Sequence, residues 1–219
     1  MTQRPELSLE YLYHPPAQSG AKGAFFLLHG YGSNEEDLFS FVGDLPRDYH
    51  YFSLRAPFGL DPFGYAWYAI DFDAPEGKWS NTEQAIESRG AILHFINEAC
   101  DAYAIDRDNL NLLGFSQGCI LSFALALSFP ERFKRVVGLS GHINPQMLDE
   151  NYASKDHKHL KIYSSHGQLD PVIPVAWAQR TPPFMQDLGI DLKFDEFPIG
   201  HGVSPQNFQA LKEWLARKA

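Results

Sequence analysis

Gly114-Phe115-Ser116-Gln117-Gly118 is a Gly-x-Ser-x-Gly pattern that stands directly after the apolar run Leu110 to Leu113 and before the apolar, helix-like run Cys119 to Phe129. Strand, tight turn and helix in that order form the setting in which a serine hydroxyl is presented on a strained turn, its small neighbours letting other backbone approach. The bare pattern arises by chance in roughly one of ten to fifteen chains of this length, so the flanking elements carry the weight. Such a hydroxyl becomes a nucleophile only beside a base, and the base needs a third group to orient it. Of nine histidines, His201 lies after the last apolar run and before the last helix-like segment, between Gly200 and Gly202; the glycines free a loop to carry the ring to a crevice. Asp170 follows the run Leu160 to Ser164 and precedes Pro171, which biases it toward extended geometry. Asp195 and Glu196 belong to a strand interior, and Asp187 and Asp191 flank a helix-ending turn.

The spacing therefore predicts acyl transfer, with Ser116 as nucleophile, His201 as base and Asp170 as its orienting carboxylate. The developing oxyanion needs amide donors. Gln117, next after the nucleophile, offers one, and Tyr31 in His29-Gly30-Tyr31-Gly32-Ser33 offers the other. His29 is expected to be structural. Because His201 must be neutral to act, the rate should fall on the acid side.

These loops need a frame that brings them to one place. Continuous apolar runs recur at Phe25 to Leu28, Tyr51 to Leu54, Leu110 to Leu113, Val136 to Leu139, Leu160 to Ser164 and Leu192 to Phe197, the signature of strands buried on both faces of a parallel sheet. Leu7, Leu9, Tyr11 and Tyr13 alternate with polar residues and predict a half-exposed edge strand. Helix starts are expected at Ser33 with Glu36, at Ser80 with Glu83, and at Ser204 with Pro205. Across Thr82 to Tyr103, the residues Ile86, Leu93, Ile96, Cys100 and Tyr103 share a helical face, and Gly189 marks a helix stop. This alternation predicts an open α/β sheet with its crevice beyond the C-terminal strand ends.

At 219 residues the chain is expected to form one domain spanning 1–219. Its net charge of −9 makes nucleic acid an unfavourable partner. A hydrophobic fraction of 44% suits a water-soluble fold, and the longest apolar run is too short to span a bilayer, so no stable membrane insertion is expected. Cys100 and Cys119 fall in apolar helical patterns and read as buried thiols; with no apparent signal peptide, the chain reads as cytoplasmic. His157 and His159 alternate but have no further His or Cys partner, and Asp156 and Lys158 beside them suggest an exposed loop, so no metal is predicted. Nothing in the sequence separates a monomer from a homodimer.

The motifs taken together are Leu28-His29-Gly30-Tyr31-Gly32, Arg55-Ala56-Pro57, Ala66-Trp67-Tyr68 with Asp71, Gly114 to Gly118, Leu139-Ser140-Gly141, His166-Gly167 with Asp170 to Val172, and Gly200-His201. Over nearly the whole chain they resemble the phospholipase/carboxylesterase family of α/β hydrolases, which includes acyl-protein thioesterases and small bacterial carboxylesterases. The resemblance implies an α/β-hydrolase fold with a mostly parallel central sheet, helices on both faces and no large cap domain. It also implies a Ser116, Asp170, His201 triad, oxyanion donors at Tyr31 and Gln117, and no cofactor. The implied reaction is hydrolysis of carboxylic esters of short to medium acyl chains. The same residues suit a thioesterase or lysophospholipase, and a binding protein that kept the fold without catalysis is the rival of another class. Tyr31 stands where many relatives carry Leu, and His142 where an aliphatic or aromatic residue is common. The expected substrate pocket includes His142 and, from the aromatic segment Phe58 to Trp79, Trp67 or Phe72.

Overall fold

In a computed structural model, residues 5–18, 20, 23–71 and 79–217 are described. Seven strands form the main sheet: β1 (Tyr11–His14), β2 (Ala24–Leu28), β3 (His50–Leu54), β4 (Leu110–Phe115), β5 (Arg135–Leu139), β6 (Lys161–Gly167) and β7 (Asp191–Phe197). Their order is β1-β3-β2-β4-β5-β6-β7. Only the β1–β3 pairing is antiparallel; the others are parallel. The helices are α1 (Glu36–Phe39), α2 (Thr82–Tyr103), α3 (Gln117–Ser128), α4 (Val175–Ala178), α5 (Thr181–Asp187) and α6 (Pro205–Leu215). Among the described residues there is no large cap domain.

The apolar runs divide between two cores because successive strand side chains point to opposite faces. Phe26, Leu28, Phe52, Leu112, Val136 and Ile162 pack with α2 and α3. Phe25, Leu27, Tyr51, Leu113, Val137 and Tyr163 pack with α6 residues Leu211 and Leu215 and with Leu38 of α1. All of α3 is buried, as expected of a helix apolar on every side. No described helix is long and apolar enough to cross a membrane.

Several local expectations shift. The edge strand is shorter than the alternation suggested: pairing begins at Tyr11, and Leu7 and Leu9 pack on the core without joining it. Asn81, not Ser80, caps α2, its carboxamide oxygen accepting from Gln84 N at 3.1 Å. Near α1, Ser33 forms no cap; its hydroxyl donates to Asp37, and Asn34 accepts from Glu36 N. Ser204 does cap α6, accepting from Asn207 N at 3.2 Å. Gly189 follows α5 with φ +70, a backbone conformation that glycine tolerates best.

The face of α2 is rotated from the predicted one. Ile86 is exposed, whereas Ser88 and Arg89 are buried beside Ala85, Ile92, Phe95 and Ile96. Both buried polar residues have partners: Ser88 Oγ donates to the Trp67 carbonyl, and Arg89 donates to Ser128 Oγ and the Met147 carbonyl. His157 is likewise buried, not in an exposed loop, with Nε2 at 3.0 Å from the Leu127 carbonyl. Cys100 and Cys119 are both buried and free.

Candidate active site

Strand β4 turns sharply into α3 at Ser116, whose backbone is at φ 52, ψ −115. Such a conformation costs a non-glycine residue about 1 to 3 kcal/mol and persists only where the surroundings hold it. Here Ser116 N donates to the Leu139 carbonyl at 2.8 Å, and its carbonyl accepts from Ile120 N at 3.1 Å. A Cβ on Gly114 would run into the Gly118 carbonyl, and one on Gly118 into the Leu28 carbonyl. The glycines flanking the serine are therefore packing requirements of this turn.

His201 lies in the loop between β7 and α6. Its Nε2 is 2.9 Å from Ser116 Oγ, and its Nδ1 is 2.6 Å from Asp170 Oδ2. A carboxylate only accepts, so Nδ1 carries the proton and the serine hydroxyl donates to Nε2. The other oxygen of Asp170 accepts from Val172 N at 2.8 Å and Ile173 N at 2.9 Å, which fixes the carboxylate in its loop. The Phe115 ring lies against His201, 5.1 Å between centroids. His166, quoted above only as part of a motif, is fully buried; Nε2 donates to the Ile173 carbonyl at 2.8 Å and lies 3.3 Å from Asp170 Oδ2.

The loop after β2 runs alongside the nucleophile: a Cβ on Gly30 would lie 3.4 Å from the Ser116 Cβ. Next to it, Tyr31 lines the same cavity as Ser116, Gln117 and His201. Gln117 is the first residue of α3, where helix amide hydrogens lack partners within the helix. His29 is structural in its contacts. It is buried, Nε2 accepts from Ala56 N at 3.1 Å, and Nδ1 donates to the Gly30 carbonyl at 2.7 Å. An accepting Nε2 requires a neutral ring, and burial holds its pKa below the ordinary imidazole value.

The side chain of Gln117 has a function that its place in the motif did not suggest. Its Oε1 accepts from Trp67 N and its Nε2 donates to the Tyr68 carbonyl, both at 2.7 Å. This ties the 66–68 segment to the serine turn. Trp67, expected in the pocket, is instead fully buried, and its indole donates to the His29 carbonyl at 2.9 Å. Arg55, paired with Glu35, stacks 4.7 Å over the Tyr65 ring and ties the same region to the loop after β2. Leaving a buried polar group unpaired costs about 1 to 3 kcal/mol. Gln117→Ala strands two of them, and is expected to lower stability by about 2 to 4 kcal/mol and to reduce turnover, although the residue 117 amide survives. Denaturant unfolding beside steady-state kinetics checks this; unchanged stability would contradict it.

The cavity beside Ser116 has a volume of about 750 Å³, within the usual span of small-molecule sites. Ile120, Ile143, Val172, Ile173 and Trp177 supply apolar walls; His142, Asn144 and Arg180 supply polar groups. His142 lines the cavity, whereas Phe72 lies outside the described residues. Arg180, Ile173 and Trp177 were not singled out by sequence, since no local pattern marks them.

Burial, aided by His166 and the Arg180 charge nearby, pushes the His142 pKa down to about 4. An unfolded histidine titrates near 6.5, so between pH 6.5 and 4 the unfolded chain binds a proton that the folded chain refuses. His142 therefore withdraws stability as pH falls through that window, by about 1 kcal/mol per unit after allowance for partial solvent access. His142→Gln should unfold with a shallower dependence on pH below 6.5; parallel stability curves for the two proteins would count against it.

A family model described as Phospholipase/Carboxylesterase matches residues 16–218. A probable carboxylesterase of Arabidopsis thaliana, SOBER1-like, is 31% identical over 127 residues, covering 58% of this chain and 48% of that protein. Acyl-protein thioesterase 1 of Kluyveromyces lactis is 26% identical over 162 residues, covering 69% of this chain and 68% of that one. Among solved structures, esterase PE8 superposes with a TM-score of 0.80 at 27% identity, covering 96% of this chain and 98% of that one. The matches to two plant carboxylesterases span about half the length of those relatives.

Proposed function

We propose, for a chain that belongs to the phospholipase/carboxylesterase family, a serine hydrolase that cleaves carboxylic esters of short to medium acyl chains. The observation that carries this reading is the continuous run of hydrogen bonds from Asp170 through His201 to Ser116 Oγ, with Ser116 and His201 lining the cavity. Ser116 Oγ attacks the ester carbonyl carbon while its proton passes to His201 Nε2. The carbonyl oxygen becomes an oxyanion, met by the backbone amides of Gln117 and Tyr31. Collapse of this adduct breaks the ester bond, and the leaving alkoxide takes the proton from His201. Water then attacks the acyl-serine, passing a proton to His201, and the second collapse returns the acid and Ser116. Asp170 orients the imidazole and stabilises its charged form throughout. Each step uses groups of the chain itself.

The test is hydrolysis of a panel of 4-nitrophenyl esters from acetyl to palmitoyl, with covalent labelling of Ser116 by an active-serine phosphonate. Turnover with labelling at Ser116 supports the reading. An unlabelled Ser116 and an inert panel would move weight to a non-catalytic binding protein. The thioesterase reading draws on the similarity to acyl-protein thioesterase 1, and matched acyl thioesters and oxygen esters separate the two. Free, buried cysteines suit a reducing compartment, and we place the protein in the cytoplasm.

A further inference from the structure

In a chain of net charge −9, the described residues that line the cavity include no aspartate or glutamate, and their one permanent charge is the Arg180 guanidinium. Asp170 does not offset it at the surface of the cavity, because its side chain is wholly enclosed behind His201. The Arg180 side chain has no ion pair or hydrogen bond with any described residue. His142 lines the same cavity, its ring 5.2 Å from that of Trp177, and its Nδ1 is buried without a hydrogen-bond partner. A cation and an imidazole thus line one space, and Arg180 is near enough to His142 to oppose its protonation. Groups so placed have a common complement, an anion that pairs with the guanidinium and accepts from the imidazole.

We propose that this cavity selects esters that carry a second, ionised carboxylate, with Arg180 as its counter-ion and His142 as a hydrogen-bond donor. The inference rests on the hydrolase reading above and names the substrate class of that same site. Ile120, Ile143 and Ile173 then line the path of the methylene spacer between the ester and the carboxylate. An uncharged ester of equal length fills the apolar walls but leaves Arg180 with water alone. Half-esters of dicarboxylic acids carry the carboxylate on the acyl side, and acyl esters of hydroxy acids carry it on the alcohol side. The same chemistry serves both, and the substrates distinguish them.

The experiment follows kcat/KM by pH-stat for monomethyl succinate, glutarate, adipate and suberate, for butyryl esters of hydroxy acids, and for uncharged methyl esters of equal length. Phosphonate labelling of Ser116 runs in parallel. The expected result is a preference for one charged series over its uncharged counterpart of about 10-fold, falling toward parity in Arg180→Gln and partly kept in Arg180→Lys. High salt should erode the preference. A preference absent in the unaltered protein, or unchanged in Arg180→Gln, overturns the inference while turnover of uncharged esters leaves the hydrolase reading standing. An unlabelled Ser116 with no turnover of any ester overturns that reading and this inference with it.

Discussion

Ser116→Ala is expected to lower kcat on any ester substrate by about 10⁵-fold or more, with KM little changed. The loss is large because the variant has no atom to form the acyl bond, so the base and oxyanion donors act at most on water. The fold should tolerate the change. Among the described residues the hydroxyl has one hydrogen bond, to His201 Nε2, and alanine occupies the same backbone conformation at φ 52 with no more strain than serine. Burst kinetics together with thermal unfolding separate the two effects. Activity above about 1% of the unaltered protein, at equal stability, would remove Ser116 from the nucleophile role. Covalent labelling should vanish in the same variant.

Asp170→Asn should cost about 10⁴-fold in kcat through a different cause. Asn places an N–H donor within reach of His201 Nδ1, where Asp170 Oδ2 now accepts at 2.6 Å. The imidazole then favours the tautomer with its proton on Nε2, facing Ser116, and cannot take the serine proton. The amides of Val172 and Ile173 can still bond to the remaining carbonyl oxygen, so the loop should keep its shape. The accompanying cost in stability comes from His166, whose Nε2 lies 3.3 Å from the altered atom. Nitrogen NMR of the imidazole reads the tautomer directly. An unchanged tautomer with full activity would show that Asp170 does not orient the base.

These two variants differ in what they spare. In Ser116→Ala the base keeps its orientation and has nothing to deprotonate; in Asp170→Asn the nucleophile is intact and the base is turned the wrong way. Combining them should cost little more than Ser116→Ala alone, because residues that act on one proton transfer are not additive.

Much of this site was legible along the chain because its signals are local. A turn that demands glycine at 114 and 118 is written in five consecutive residues, and continuous apolar runs announce buried parallel strands. The order Ser116, Asp170, His201 follows from which loop comes after which strand. Parallel pairing then sends those loops to the same sheet edge. Local patterns also have a known failure. Apolar periodicity placed Ile86 on the inner face of α2, but Ser88 and Arg89 occupy that face because Trp67, Ser128 and Met147 satisfy their polar groups. No window of the sequence contains those partners.

What the sequence by itself determined is therefore the alternating frame, the serine turn and the loops that carry His201 and Asp170, all set by backbone sterics and hydrophobic period within short stretches. Tertiary structure alone decided how far apart those groups lie, that Trp67 is a brace beneath the site, and that Gln117 clamps the 66–68 segment. It also brought Arg180, after α4, into the cavity with His142, after β5. The physical reason is range: dihedral preferences and periodicity act over a few neighbours, while hydrogen-bond pairing, burial and charge depend on groups dozens of residues away that only the folded chain brings together.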